Sequence, residues 1–146
     1  MGTVTKKSEV YKEVKEAFGI VPEWLTAMPE EAIGGFWSLM RDFYLAETKI
    51  PNKYKELIGI AVSGATRCRY CQLFHAEGAR LNGATDEEIA EASMMAGVTM
   101  AGSTFLNAQG VDFETFQKET LQIVAYAKQQ QAKQPPPTRP EPRARV

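Results

Sequence analysis

Both cysteines and the single histidine of this 146-residue chain lie within one stretch of eight residues, CRYCQLFH at 68–75. On a helix, Cys68, Cys71 and His75 would share an arc of about 60°, so all three side chains could meet one small volume. The preceding residues 63–66 predict a break and a cap, which places both cysteines near a helix N-terminus, where backbone dipoles stabilise a thiolate. The spacing predicts thiol chemistry, in which His75 takes a thiol proton directly or through water.

Glu56 is the residue that we expect to orient the imidazole of His75. It lies on the predicted helix before the cysteine segment, and that helix must turn back across the cysteine helix. Its neighbours Tyr54, Leu57 and Ile58 indicate largely apolar surroundings. A carboxylate in such a place can hold the imidazole while the other ring nitrogen exchanges a proton.

Composition excludes several classes of protein. Lys and Arg number 17 against 18 Asp and Glu, and the pI is near 5.9, so no basic surface for nucleic acid is expected. The longest apolar stretch, 57–62, is far short of the roughly 20 residues that cross a bilayer. The first residues lack the apolar region of a secretory signal. We therefore expect a cytoplasmic protein that binds neither membrane nor nucleic acid.

Apolar residues recur at intervals of three and four, which predicts an all-α fold. The predicted helices cover about 8–18, a short turn after Pro22, 30–46, 52–63 and 67–82, with Gly83 as the residue that ends the last of them. The aromatic-rich face of the helix over 30–46, which includes Trp37 and Tyr44, is predicted to be core.

The rest of the chain is predicted from capping residues, glycines and prolines. Thr85 and Glu88 fit a capping box, and Asp112 fits the cap of a final helix. Gly97 and Gly102 predict a break or a close helix crossing before a separate helix over 100–109. Five of the eight prolines lie after position 134, so we divide the chain into a helical domain at 1–127 and a flexible tail at 128–146 rich in Pro, Gln and Arg.

The pattern Glu-x11-Cys-x2-Cys-x3-His, formed by Glu56, Cys68, Cys71 and His75, resembles the active-site signature of the alkylhydroperoxidase AhpD-like group within the carboxymuconolactone decarboxylase family. The resemblance extends to YKELI at 54–58, GAT at 83–85, EEI at 87–89 and FGIVP at 18–22, and we estimate that it covers about residues 10 to 127.

This resemblance implies a compact all-helical domain that assembles as a symmetric homotrimer or homohexamer. It further implies an oxidoreductase, a thiol-dependent peroxidase of antioxidant defence. In such an enzyme Cys71 is the reactive thiolate, which a proton relay of Glu56 and His75 activates. Cys68 is the partner that resolves the sulfenic acid. The resemblance implies no bound cofactor. It does imply an external dithiol reductant of the dihydrolipoyl or thioredoxin-like type. The founding type carries a histidine where this chain has Tyr70, and members with lactone decarboxylase activity generally lack the cysteine pair.

Three alternatives remain at this stage. The same dithiol could reduce another protein's disulfide rather than a hydroperoxide. Cys68, Cys71 and His75, with Glu56 or water as a fourth ligand, could hold zinc, although structural zinc prefers four Cys or His ligands. The cysteines could also be packing residues of a helical assembly protein without redox activity, because free cysteine is often buried.

Overall fold

The computed structural model describes residues 6–133, which form seven α-helices and one π-helical segment and include no strand. The elements are α1 (Lys7–Phe18), α2 (Glu23–Thr26), α3 (Glu30–Leu39), the π-helical segment (Met40–Leu45), α4 (Asn52–Thr66), α5 (Arg69–Leu81), α6 (Asp86–Ala108) and α7 (Phe113–Lys133). The all-α prediction is confirmed. No helix within the described residues is long and apolar enough to span a membrane.

The chain divides into two compact units, and the boundary lies inside α6. Among the described residues, the first unit comprises 6–100 and the second 101–133. The single domain predicted over 1–127 includes this position without a boundary, because the glycines at 97 and 102 predict a break or close crossing of helices within one domain.

The core of the first unit lies where α1 and α2 meet α3. Its buried side chains are apolar and come from all three helices: Val10, Val14, Leu25, Ile33 and Trp37. Val10 and Val14 are four residues apart on α1, so they form one face of that helix. The indole N–H of Trp37, at the edge of this core, donates to Glu13 at 2.7 Å.

The helix predicted over 30–46 is interrupted by a change of helical type, which corrects that prediction. α3 ends at Leu39, and the chain continues as a π-helical turn over Met40–Leu45. The last carbonyls of this turn are bound from the first turn of α4. Lys55 Nζ donates to the carbonyls of Phe43 and Ala46 at 2.8 and 2.6 Å, and Asn52 Nδ2 to that of Leu45 at 2.9 Å. Contacts with a later helix, which local periodicity does not report, thus satisfy the wider turn.

The predicted break around Gly97 and Gly102 is wrong, because α6 continues from Asp86 to Ala108 without interruption. Glycine in a helix costs only about 1 kcal/mol relative to alanine. The surrounding Ala, Met and Glu residues of α6 are good helix formers, so two glycines do not end it.

The predicted start of the tail at Lys128 also needs correction, since α7 extends to Lys133. Residues 128–133 are Lys, Gln, Gln, Gln, Ala and Lys, all residues with favourable helix propensity. The remainder of the predicted tail, 134–146, lies outside the described residues.

Both predicted caps of the later helices are confirmed. The Glu88 amide donates to Thr85 Oγ1 at 3.2 Å, and the Thr85 amide donates to the Glu88 carboxylate at 2.9 Å. This reciprocal pair is the capping box that begins α6. The Thr115 amide donates to Asp112 Oδ2 at 2.8 Å at the start of α7. Glu88 also pairs with Lys53 at 2.6 Å, which joins the start of α6 to α4.

Candidate functional site

α4 and α5 form a helical hairpin that carries all of the site residues predicted from the sequence. Only Arg67 and Cys68 separate the two helices, and Arg67 adopts a left-handed φ of 57° that reverses the chain. The Cys68 amide donates to the Ser63 carbonyl at 3.0 Å, which satisfies an acceptor at the end of α4. The hairpin lays α5 back along α4, and this brings Glu56 to His75 across 19 positions of sequence.

Glu56 and His75 form a hydrogen-bonded pair at the centre of the hairpin. Glu56 is buried, with 6% of its surface exposed, and its Oε2 lies 2.8 Å from His75 Nδ1. A carboxylate only accepts hydrogen bonds, so Nδ1 carries the hydrogen and donates it, which leaves the lone pair on Nε2. The contact that we expected between these two side chains is therefore present, and the pair offers Nε2 as an oriented base.

Gly59 makes room for the imidazole on the surface of α4. A Cβ at this position would overlap the ring of His75, since it would lie only 2.5 Å from Cγ and Cε1. Any side chain at position 59 would thus displace the ring from its place against α4.

Tyr44 is a member of this cluster that the sequence analysis assigned to the core. Its hydroxyl donates to Glu56 Oε1 at 2.5 Å and lies 3.4 Å from His75 Nδ1. Burial and the hydrogen bond to Glu56 raise the pKa of Tyr44 above its usual value. One sequence signal could have indicated this role. Tyr44 places a hydroxyl on an otherwise apolar aromatic face, and a buried hydroxyl needs a hydrogen-bond partner.

Cys68 and Cys71 are joined by a disulfide at the start of α5, and their Cα atoms are 5.3 Å apart. Cys68 is the N-cap residue, and its Sγ accepts the Cys71 amide at 3.3 Å. Cys71 is exposed and Cys68 is half-buried in the isolated chain. The two sulfurs therefore lie at the helix N-terminus. The break and cap predicted at 63–66 are wrong, because these residues belong to α4 and the cap is Cys68, so α5 begins two residues later than predicted.

Cys71 and His75 are one helical turn apart on α5, a spacing that places them on the same face. Among residues 6–133, no hydrogen bond joins His75 to either sulfur. The structure thus brings Glu56, His75 and Tyr44 into direct contact and sets the disulfide one turn away. The catalytic role of each of these residues stays a prediction.

The surroundings of the disulfide are cationic and aromatic. Arg67 and Arg69 flank Cys68 and are exposed. The Arg69 guanidinium lies 5.0 Å from the centre of the Tyr70 ring, and Tyr70 is 74% exposed. Phe74 packs edge-on against His75, with ring centres 5.8 Å apart. Positive charge beside a cysteine favours its thiolate, and an exposed aromatic side chain offers an apolar surface to a substrate.

The described residues contain no group of three or more His, Cys, Asp or Glu side chains that could hold a metal ion. Zinc binds the cysteine thiolate, and both cysteines here are joined to each other. The zinc site considered from the sequence therefore gains no support from the geometry.

The residues of this candidate site lie within a region that matches a known protein family. A family model described as the carboxymuconolactone decarboxylase family matches residues 32–111, more than half of the chain. This range includes Tyr44, Glu56, both cysteines and His75.

Two solved structures share the fold. The crystal structure of the alkylhydroperoxidase AhpD core from Rhodospirillum rubrum superposes with a TM-score of 0.65 at 23% identity, over 75% of this chain and 84% of that chain. A protein from Methanobacterium thermoautotrophicum superposes with a TM-score of 0.52 at 34% identity, over 61% of this chain and 98% of that chain. At 23% identity, the first likeness shows the fold alone.

One curated relative comes from Paracoccus denitrificans and is described as uncharacterized protein 4 in cox locus. It is 38% identical over 63 residues, which are 43% of this chain and 57% of that protein. The chain therefore matches little more than half the length of this relative.

Proposed function

This chain belongs to the carboxymuconolactone decarboxylase family as an AhpD-like member, and we propose that it is a thiol-dependent peroxidase. The observation that carries the proposal is the Cys68–Cys71 pair at the start of α5, one turn before a histidine that a buried glutamate holds. A cysteine pair, an oriented base and a helix N-terminus all favour peroxide reduction by thiols.

In the first step, the dithiol form of the protein reacts with a hydroperoxide. His75 Nε2 takes the proton of the Cys71 thiol, directly or through one water, while Nδ1–H stays bonded to Glu56. The Cys71 thiolate attacks the terminal oxygen of the peroxide, and the O–O bond breaks. Cys71 becomes a sulfenic acid, and the alkoxide leaves as the alcohol after it accepts the proton from His75.

In the second step, the Cys68 thiol attacks the sulfenic sulfur of Cys71. An S–S bond forms, the S–O bond breaks, and water leaves, which yields the disulfide between residues 68 and 71. An external dithiol, of the dihydrolipoyl or thioredoxin-like type, then exchanges with this disulfide. Its two thiols become a disulfide, and both cysteines return to the thiol form.

The disulfide of another protein is a second candidate substrate, supported by the exposure of Cys71. A protein substrate must reach the attacking sulfur through a mixed disulfide, which a buried cysteine does not allow. The exposed arginines beside Cys68 support the same reactivity, because they stabilise a thiolate. Peroxide and protein disulfide reduction use the same residues and differ in what reacts with Cys71.

We further propose that the protein assembles as a homotrimer or homohexamer. Large apolar side chains on both long helices are exposed in the isolated chain: Met94, Met95, Val98 and Phe105 on α6, and Phe113, Leu121, Ile123 and Tyr126 on α7. Exposed apolar surface of this kind is typical of interfaces. Light scattering coupled to size-exclusion chromatography measures the number of subunits, and a monomer would contradict this assembly.

The function is tested by titrating thiols in purified, reduced, metal-analysed protein before and after one equivalent of an organic hydroperoxide. The peroxidase predicts loss of both thiols, release of one equivalent of alcohol, and a Cys68–Cys71 disulfide located by mass spectrometry. Peroxide-resistant thiols with rapid reduction of a protein disulfide would favour the second substrate. Thiols inert to both reagents would contradict the redox proposal and leave an assembly protein.

A further inference from the structure

The hydroxyl of Tyr44 hydrogen-bonds the buried carboxylate of Glu56 and has no part in the mechanism above. It donates to Glu56 Oε1 at 2.5 Å, while His75 Nδ1 binds the other oxygen, Oε2, at 2.8 Å. Among residues 6–133, these are the side chains that hydrogen-bond the Glu56 carboxylate. Each carboxylate oxygen therefore has one donor, and the two donors come from different elements.

The structure holds Tyr44 in place from several directions. Its backbone belongs to the π-helical segment, whose neighbouring carbonyls are bound by Lys55 Nζ. Its ring packs against Phe74, with centres 6.0 Å apart, and edge-on against His75 at 5.8 Å. π-helical turns occur frequently at functional sites, because the extra residue redirects a side chain. Here the turn directs the Tyr44 hydroxyl to the buried carboxylate.

Tyr44 acts as a hydrogen-bond donor at neutral pH. Burial, together with its hydrogen bond and proximity to Glu56, raises the pKa of Tyr44 above its usual value, so the phenol keeps its proton. A neutral phenol beside a carboxylate donates to it and stabilises the charged form.

We propose that Tyr44 is a positioning residue of the site: its hydroxyl fixes one oxygen of Glu56 so that the other oxygen accepts from His75 Nδ1–H and keeps Nε2 as the base. Its effect on turnover rests on the proposed peroxidase function. Its effect on the Glu56–His75 pair does not, because the hydrogen bonds exist whether or not the protein reduces peroxides.

Loss of the Tyr44 donor has a defined electrostatic consequence. The titratable groups that meet at this point are Tyr44 from the π-helical segment, Glu56 from α4 and His75 from α5. Without the phenol, the negative charge of the carboxylate is less compensated, so the Glu56–His75 pair takes up a proton more readily.

The single histidine of the chain makes this shift directly measurable. We would follow the His75 imidazole by NMR against pH in the disulfide form, in which the cysteines do not titrate. Tyr44→Phe is expected to raise the His75 midpoint, because the carboxylate beside the imidazole loses a donor. Tyr54→Phe is the matched control, because Tyr54 is exposed and has no side-chain hydrogen bond among the described residues.

A second substitution protects the test against misfolding of Tyr44→Phe. Replacing Tyr44 with 3-fluorotyrosine keeps the ring and makes the phenol a stronger donor, so the His75 midpoint is expected to fall. An unchanged midpoint in either folded variant would overturn the proposal, as would an equal shift in Tyr54→Phe. If the wild-type protein turns over peroxide, Tyr44→Phe is also expected to lower kcat/KM about tenfold and to move the acidic limb of its pH profile upward. If the wild type turns over none, the proposed function fails while the NMR result still decides the role of Tyr44.

Discussion

Gly78 of α5 lies directly against the carboxyl group of Glu56 on α4. A Cβ at position 78 would be 2.7 Å from the carboxyl carbon and 2.8 and 2.9 Å from its oxygens. Together with Gly59, which faces His75, this glycine lets the two helices approach closely enough for a buried carboxylate to reach an imidazole.

Gly78→Ala is therefore expected to displace Glu56 and to destabilise the protein. The added methyl group overpacks a buried site, which typically costs about 1–3 kcal/mol. Displacement of a catalytic group by about 1 Å lowers turnover about 100-fold. Urea unfolding and peroxide turnover measure the two effects.

Gly35→Ala is the matched control for this substitution. Gly35 lies within α3, and a Cβ there meets nothing within 4 Å. Alanine in an open helical position is expected to stabilise by about 0.5–1 kcal/mol and to leave turnover unchanged. Equal effects at the two positions would contradict the close-approach argument.

Substitution of the two cysteines is expected to block different steps of the reaction. Cys68→Ser should still form the Cys71 sulfenic acid, because the attacking thiol and His75 remain, but it should form no disulfide. Cys71→Ser should form neither. A sulfenic-acid trapping reagent with mass spectrometry distinguishes the variants, and sulfenic acid at Cys68 in the Cys71→Ser protein would reverse the assignment.

Removal of the base, His75, is expected to lower peroxide turnover more than alteration of its hydrogen-bond partner, Glu56. His75→Ala should lower peroxide turnover by about 10²- to 10⁴-fold, the usual contribution of a general base. Glu56→Gln should lower it less, because the amide keeps one oxygen to accept a hydrogen bond while its NH₂ faces the other donor. Peroxide turnover measured under saturating reductant checks this order of the two variants. Equal rates in wild type and His75→Ala would rule out proton transfer through His75.

Glu13 should make stability depend on acid pH. Its hydrogen bonds to Trp37 and Arg41 hold the pKa of Glu13 below its usual value of 4.5. Because this pKa is lower in the folded state, Glu13 contributes stability that is present above 4.5 and is lost as pH falls through its folded-state value. Urea unfolding of Glu13→Gln is expected to show less loss of stability across that acid range than the wild type. Identical pH dependence in both proteins would contradict the prediction.

Local signals predicted the starts of α6 and α7, each of which has a side-chain cap. The reciprocal hydrogen bonds of Thr85 and Glu88 and the cap at Asp112 follow from residue types within a few positions of each other. Gly83, with a φ of 80°, ends α5 for the same local reason. Where the residues that start or end a helix lie within one turn of each other, the sequence was sufficient to predict that helix end.

The role of Tyr44 was missed because its cause is not local. Periodicity places Tyr44 on an aromatic face, but the π-helical turn that redirects it depends on Lys55, eleven positions later. The Glu56–His75 contact was predicted because the helix that carries Glu56 must turn back across the cysteine helix, and because both residues belong to the pattern that resembles the family's signature. The sequence therefore predicted the pair and not its third member.

The position of Glu56 along α4 sets the helical phase of the site. One residue inserted into α4 between Glu56 and Thr66 would rotate Glu56 by about 100° about the helix axis relative to the end of α4, and would move it about 1.5 Å along that axis. Glu56 would then turn away from His75, although every side chain of the site was still present. The eleven residues between Glu56 and Cys68 are thus a fixed length, intolerant of insertion or deletion, and the candidate site is defined by phase as much as by residue type.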